Sequence, residues 1–219
     1  MSDTKEDNIS NYRSEQTQPS SKLQVFRKAV AANITKPVVS LLARTGITPN
    51  MVSWFGLVLI ILAGFLAGYG HPFAAGWVVL LSGFFDIIDG ALARRTNQVT
   101  AFGGVLDSTL DRLSESIILI GIMAVYLFNS AIFNPWIVIL ISVTITTSFL
   151  VSYIRARSEA MKVDCQVGVF TRAERVIILA LGLLFSGVPY VLLIAITIIA
   201  VLSIVTIIQR LAHFYQMTK

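Results

Sequence analysis

Charged side chains are scarce in this chain and unevenly placed. Asp, Glu, Lys and Arg make up 13% of the 219 residues, whereas 55% are hydrophobic. A soluble domain carries about twice that charged share. No Asp, Glu, Lys or Arg occurs between Arg44 and Asp86, between Glu115 and Arg155, or between Arg175 and Arg210. Each gap is roughly 34–41 residues long, about twice the ~20 that cross a bilayer once. Gaps of that length exclude three buried helices of a soluble protein. Each reads instead as a helical hairpin that leaves one side of a membrane and returns to it.

Cysteine is nearly absent. Cys165 stands alone, which excludes an internal disulfide and a thiolate metal site and fits a reducing cytoplasmic face. The first twenty residues hold no apolar run, so no secretory signal is expected. Residues 1–21 are rich in Ser, Asn, Gln and Thr and too poor in apolar side chains to bury a core, which predicts a disordered polar tail. No longer internal repeat is evident.

What is there begins with the midpoints of the gaps. GYGHPF at Gly68–Phe73, FNSAIFNPW at Phe128–Trp136 and SGVPY at Ser186–Tyr190 combine helix-breaking Gly, Pro and Asn with interfacial Tyr and Trp. The pattern predicts an all-α integral membrane protein with six transmembrane helices, near 48–69, 73–94, 102–127, 134–157, 172–186 and 189–211. Together they form a membrane domain over residues 46–215. Every Lys and Arg then falls on one side, which the excess of positive charge marks as cytoplasmic. A multi-pass protein of the cytoplasmic membrane, with both termini inside, is the expectation.

The net charge of +5 belongs largely to the membrane surface. Lys22, Arg27, Lys28, Lys36 and Arg44 alternate with Leu23, Val25, Phe26, Val30, Val38, Val39, Leu41 and Leu42. Residues 22–45 thus read as a basic amphipathic segment lying on anionic headgroups, divided or kinked at Pro37. The positive charge is thin and always beside a span, which argues against nucleic acid as a partner.

At the entry to the first span Thr48 suits a helix cap, Pro49 the first turn, and Asn50 presents an amide at the boundary. Gly64 and Gly68 form a small-xxx-small pair that permits close helix contact.

The densest chemistry lies in DIIDGALARRTNQVTAFGGVLDSTLD, Asp86 to Asp111. Asp86, Asp89 and Ala93 share one face of the second helix, and Gly103, Asp107 and Asp111 one face of the third. A short polar loop sets those helices antiparallel, so four carboxylates converge within about two turns of the cytoplasmic surface. Ionised together in a partly dry site they would repel strongly. Protonation or a bound cation relieves this, and oxygen-only ligands select hard ions such as Mg²⁺, Mn²⁺ or Ca²⁺. Gly90, Ala93, Gly103 and Gly104 leave room for a wide ligand such as a nucleotide. A salt-bridge network with Arg94, Arg95 and Arg112 is the purely structural alternative. Ionisable groups inside membrane spans are functional by default, and a cation transporter would also use them, although its carboxylates belong near the midplane.

The eight positions Asp86, Asp89, Gly90, Ala93, Arg94, Gly103, Asp107 and Asp111 read D-x2-D-G-x2-A-R-x8-G-x3-D-x3-D. This resembles the motif of the CDP-alcohol phosphotransferase family at every position, within a six-span pattern similar to the family's over roughly Arg44 to Arg210. The resemblance implies transfer of a phosphatidyl group from CDP-diacylglycerol, or a CDP-linked ether lipid, to an alcohol, with release of CMP. It implies two Mg²⁺ or Mn²⁺ ions held by Asp86, Asp89, Asp107 and Asp111, with Asp111 also the general base. Gly90, Ala93 and Gly103 would floor the site for cytidine and its diphosphate, Thr48 and Asn50 would border the nucleotide, and Arg94 would meet phosphate or an aspartate. Membrane lipids and a homodimeric partner are implied as well, and Gly64 with Gly68 would permit a dimer.

A second cluster bears on the acceptor. Ser152–Glu159 and Gly168–Arg175 supply Arg155, Arg157, Arg172 and Arg175 at the cytoplasmic ends of the fourth and fifth spans. Membrane topology alone would place basic residues there. That all four are Arg suits bidentate phosphate binding, and the cluster resembles that of the prokaryotic phosphatidylinositol-phosphate synthase branch of the family. A phosphorylated polyol, inositol phosphate, is the acceptor this implies. Glycerol-3-phosphate, the acceptor of phosphatidylglycerophosphate synthases, is the alternative, and one phosphate on each leaves charge counting unable to separate them.

Overall fold

The computed structural model describes residues 36–219 except 166. The expected polar tail 1–21 and most of the amphipathic segment, up to residue 35, lie outside the described residues. Within them the chain is all-helical: α1 Pro49–Gly68, α2 Pro72–Arg95, α3 Ala101–Phe128, α4 Pro135–Ala160, α5 Arg172–Leu184 and α6 Val191–Met217. Residues 36–42 are also helical. There Val39 is buried with Val52 of α1 and with Ile88 and Leu92 of α2, so the end of the basic segment docks on the helices it precedes.

The helix ends follow local chemistry. Thr48 caps α1, its side chain accepting from Met51 N, and Pro49 fills the first turn. Thr100 Oγ1 accepts from Gly103 N at the start of α3, and Asn134 accepts from Trp136 N before α4. Glu174 reaches back to accept from Thr171 N at the start of α5. Pro72 and Pro135 open α2 and α4.

Four helices, α1, α2, α4 and α6, are long and apolar enough to cross a membrane. The apolar sequence of α3 is broken by Asp107, Asp111, Arg112 and Glu115, all at or before its middle. α5 has 13 residues and so runs about 20 Å. Large apolar side chains such as Trp54, Phe65, Trp77, Phe149 and Ile208 stand exposed on the outer surface, as lipid rather than water would favour.

Each helix packs chiefly on two neighbours, in a ring ordered α1, α2, α5, α6, α4, α3 and back to α1. One apolar core fills the ring, with Ile60, Val79, Ile118, Ile141, Leu183 and Ile199 each supplied by a different helix. α1 and α3 approach closely where Gly64 meets Ile117 and Gly121. A Cβ on Gly64 would lie 2.9 Å from Ile117 Cγ2 and 3.1 Å from Ile117 O, and one on Gly121 would collide with Gly64 O. Gly68 likewise faces Gly121 O. The small-residue pair expected to permit a dimer is thus consumed within the subunit.

The segment between α4 and α5 is pinned to the end of α6. Arg210, itself buried, donates from Nε to Val167 O at 3.0 Å and from Nη1 to Val151 O. Gln209 Oε1 accepts from Val169 N at 3.2 Å. Gly168 lies between these contacts at φ +128, with space for no side chain against Thr206 Cγ2. This docking fixes where α5, and with it Arg172, begins.

Candidate functional site

α2 delivers Asp86 and Asp89 one turn apart, and α3 delivers Asp107 and Asp111 one turn apart, to the end of the ring where α1 and α5 start. Asp86, Asp89 and Asp107 each turn a carboxylate oxygen toward one point, these atoms lying within 4.8 Å of one another. Their exposure grades outward: Asp89 is buried, Asp86 intermediate and Asp107 exposed. Asp111, the fourth acid, is turned toward Arg172, whose Nη1 lies 2.6 Å from Asp111 Oδ1 and 3.2 Å from Asp86 Oδ2. All four line one cavity, together with Ser53, Gly56, Ser82, Glu115 and Arg172.

The donor set is all oxygen, and it converges from two helices onto a volume bordered by solvent. Three carboxylates at that separation repel unless a cation lies among them. In the structure a guanidinium neutralises one side of the group. The residues present therefore fit a hard divalent ion.

The flanking residues take the following places. Asn50 Oδ1, at the start of α1, would be 3.6 Å from a Cβ on Gly103, so the two face each other where α1 and α3 begin. Thr48 is spent as the cap of α1. Arg94 folds back over Gly90, where a Cβ would sit 3.4 Å from its Nη1. Ala93 lies half-buried on the face of α2 that carries Asp86 and Asp89.

The four arginines expected at the acceptor divide three ways. Arg172 reaches the aspartates. Arg155 is exposed and pairs with Glu159 at 2.8 Å, and Arg157 is exposed beside it. Arg175 is buried, with Nε on Glu115 Oε1 at 2.7 Å and Nη2 on Glu115 Oε2 at 2.9 Å. A guanidinium held in that way is turned into the protein and not toward a soluble acceptor. Its distance from that role follows from Glu115, which lies one turn beyond Asp111 on α3.

A family model described as CDP-alcohol phosphatidyltransferase matches residues 46–209. The chain belongs to the CDP-alcohol phosphatidyltransferase family.

Among curated members, it is 37% identical over 184 residues to the phosphatidylinositol phosphate synthase of Mycobacteroides abscessus, covering 82% of this chain and 83% of that one. It is 41% identical over 170 residues to the archaetidylinositol phosphate synthase of Methanothermobacter thermautotrophicus, covering 73% and 83%. The crystal structure of Mycobacterium tuberculosis phosphatidylinositol phosphate synthase with CDP-DAG bound superposes with a TM-score of 0.78 at 34% identity, covering 84% of this chain and 94% of that one. A second structure of that enzyme, in complex with manganese and citrate, superposes with a TM-score of 0.77 at 33% identity, covering 83% and 88%. This CDP-alcohol phosphatidyltransferase is accordingly an integral membrane enzyme of phospholipid biosynthesis, and its acidic cluster can hold a divalent metal.

Two residues of the phosphatidyltransferase site carry no local sequence signal. Ser53 of α1 donates from Oγ to Asp89 Oδ2 at 2.6 Å and so orients the most buried acid. Glu115 stands in the right register below Asp111, but its partner is 60 residues away. Only the tertiary arrangement of α1 on α2, and of α5 across from α3, shows these roles.

Proposed function

We propose that the enzyme transfers a phosphatidyl group from CDP-diacylglycerol, or from a CDP-linked ether lipid, to a hydroxyl of inositol phosphate, releasing CMP. The observation that carries this is the convergence of Asp86, Asp89 and Asp107 within 4.8 Å, in a chain whose relatives are named inositol phosphate users. The six helices cross the bilayer, with both termini and the acidic notch on the cytoplasmic side. The donor's acyl chains then stay in the leaflet while its diphosphate reaches the notch.

Asp86, Asp89, Asp107 and Asp111 hold two divalent ions, Mg²⁺ or Mn²⁺. Ions bound there neutralise the diphosphate and the charge developing on the departing CMP. Gly90, Ala93 and Gly103 form the floor on which cytidine and its diphosphate lie, bordered by Asn50, Thr48 and Arg94. Asp111 accepts the proton of the attacking hydroxyl. It sits at the edge of the cluster nearest α5, where the acceptor enters past Arg155, Arg157 and Arg172, the guanidinium groups that take its phosphate. Arg175 supports this group through Glu115.

The test is an acceptor screen. The purified chain is supplied with CDP-diacylglycerol, Mg²⁺ and either inositol phosphate or glycerol-3-phosphate, and CMP release is followed. Turnover with inositol phosphate is expected. Turnover with glycerol-3-phosphate alone would overturn the acceptor and leave the family chemistry intact, while ion flux in proteoliposomes without CMP would overturn both.

A further inference from the structure

We propose that Arg172 is a built-in counter-cation for the aspartate cluster, displaced when a divalent ion enters and thereby released toward the acceptor's phosphate. The proposal rests on the phosphotransfer reading above and adds a mutual dependence: ion and acceptor each strengthen the binding of the other.

Four features of the structure support it. Arg172 Nη1 touches Asp111 and Asp86, acids from two different helices, at 2.6 and 3.2 Å. Asp86 is also one of the three acids whose oxygens converge. The guanidinium therefore faces the same oxygens that an ion would use, and two positive groups cannot share them without strong repulsion.

The contact also leaves the guanidinium half-satisfied. Arg172 Nε is buried with no hydrogen-bond partner among the described residues. A buried N–H without an acceptor is costly, and a phosphate oxygen is the partner that a planar guanidinium best matches.

The helix beneath Arg172 is anchored independently. Arg175, one turn deeper on α5, is locked on Glu115, and the segment before α5 is tied to Arg210 and Gln209. Displacement is therefore rotation of one side chain about a fixed backbone. Helix stability gives no reason for the residue type, because a cation in the first turn opposes the helix dipole.

This mutual dependence follows from linkage. If ion and guanidinium compete for Asp111 and Asp86, the ion must raise affinity for whatever Arg172 binds once free, and by the same factor the acceptor must raise affinity for the ion.

The first measurement is Mn²⁺ titration of the detergent-purified full chain, with free Mn²⁺ read by electron paramagnetic resonance and no substrate present. Arg172→Gln is expected to bind Mn²⁺ about tenfold more tightly than the unaltered protein, since a like charge has been removed. Equal or weaker binding by a variant whose circular dichroism and gel-filtration elution are unchanged would overturn the proposal. The second measurement needs no variant. Calorimetric binding of inositol phosphate and of glycerol-3-phosphate to the unaltered chain is compared with and without Mn²⁺. For whichever binds, affinity is expected to rise about tenfold with the metal, and metal-independent affinity would overturn the proposal. A preference for glycerol-3-phosphate in the acceptor screen would fail the inositol reading without touching the Mn²⁺ titration, so the two failures are distinguishable.

Discussion

The Arg175 guanidinium and the Glu115 carboxylate meet through two parallel hydrogen bonds, Nε to Oε1 at 2.7 Å and Nη2 to Oε2 at 2.9 Å. The pair is 2% and 7% exposed, and it joins α5 to α3, which are not neighbours in the ring. It lies one helical turn below the contact of Arg172 with Asp111, so two ion pairs are stacked across the ring interior at the floor of the acidic cavity. Removing one partner leaves an uncompensated buried charge. Glu115→Leu alone should cost about 3–5 kcal/mol, read as a lowered midpoint of thermal unfolding in detergent. Glu115→Leu with Arg175→Met should recover most of that loss. A single variant as stable as the unaltered protein would contradict the assigned burial.

Ser53 is expected to tune the metal through Asp89. Its hydroxyl donates to Asp89 Oδ2 at 2.6 Å, which fixes the carboxylate's orientation from behind. Ser53→Ala should weaken Mn²⁺ binding by about 10–100-fold, while Ser53→Thr, which keeps the hydroxyl, restores most of it. Titration of Mn²⁺ against the three proteins checks this without any turnover assay.

Asp111 is the proposed base, and its replacement should separate binding from chemistry. Asp111→Asn should lower CMP release by about 10²–10⁴-fold and leave CDP-lipid binding within about tenfold, because Asp86, Asp89 and Asp107 still converge. Rapid-quench CMP release alongside equilibrium binding of the CDP-lipid reads both quantities. A nearly unaltered rate would remove the base role.

The crossing of α1 and α3 sets how close the two halves of the site can come. A Cβ on Gly121 would strike the Gly64 carbonyl oxygen, which belongs to backbone and cannot rotate away. Gly121→Ala should therefore destabilise the protein by about 1–3 kcal/mol. Gly83→Ala, at a position where a Cβ meets nothing within 4 Å, serves as the control and should be near neutral.

Much of this architecture is legible in the sequence because membrane helices announce themselves locally. The charge-free gaps and the Gly, Pro and Asn at their midpoints place six helices close to those observed, although the last, Val191–Met217, runs well past the expected end at residue 211. The spacing of Asp86, Asp89, Asp107 and Asp111 anticipates the shared cavity, since helical periodicity and a short loop suffice to bring them together. Pairings between distant helices are not legible in that way. Ser53 meets Asp89, Arg175 meets Glu115 and Gly64 meets Gly121 only because the ring runs α1, α2, α5, α6, α4, α3, and no local periodicity encodes that order. The arginine cluster shows the same limit. Residue type marked four candidates, and tertiary packing sent Arg172 to the aspartates, Arg175 into the interior and Arg155 to Glu159.

The most direct test of the central claim is anomalous diffraction at the manganese edge, from crystals grown with Mn²⁺ and CDP-diacylglycerol. Two peaks are expected among Asp86, Asp89, Asp107 and Asp111, with the diphosphate against them and the Arg172 guanidinium withdrawn from Asp111. Absence of manganese from those four carboxylates, or manganese bound elsewhere while Arg172 still grips Asp111, would contradict it.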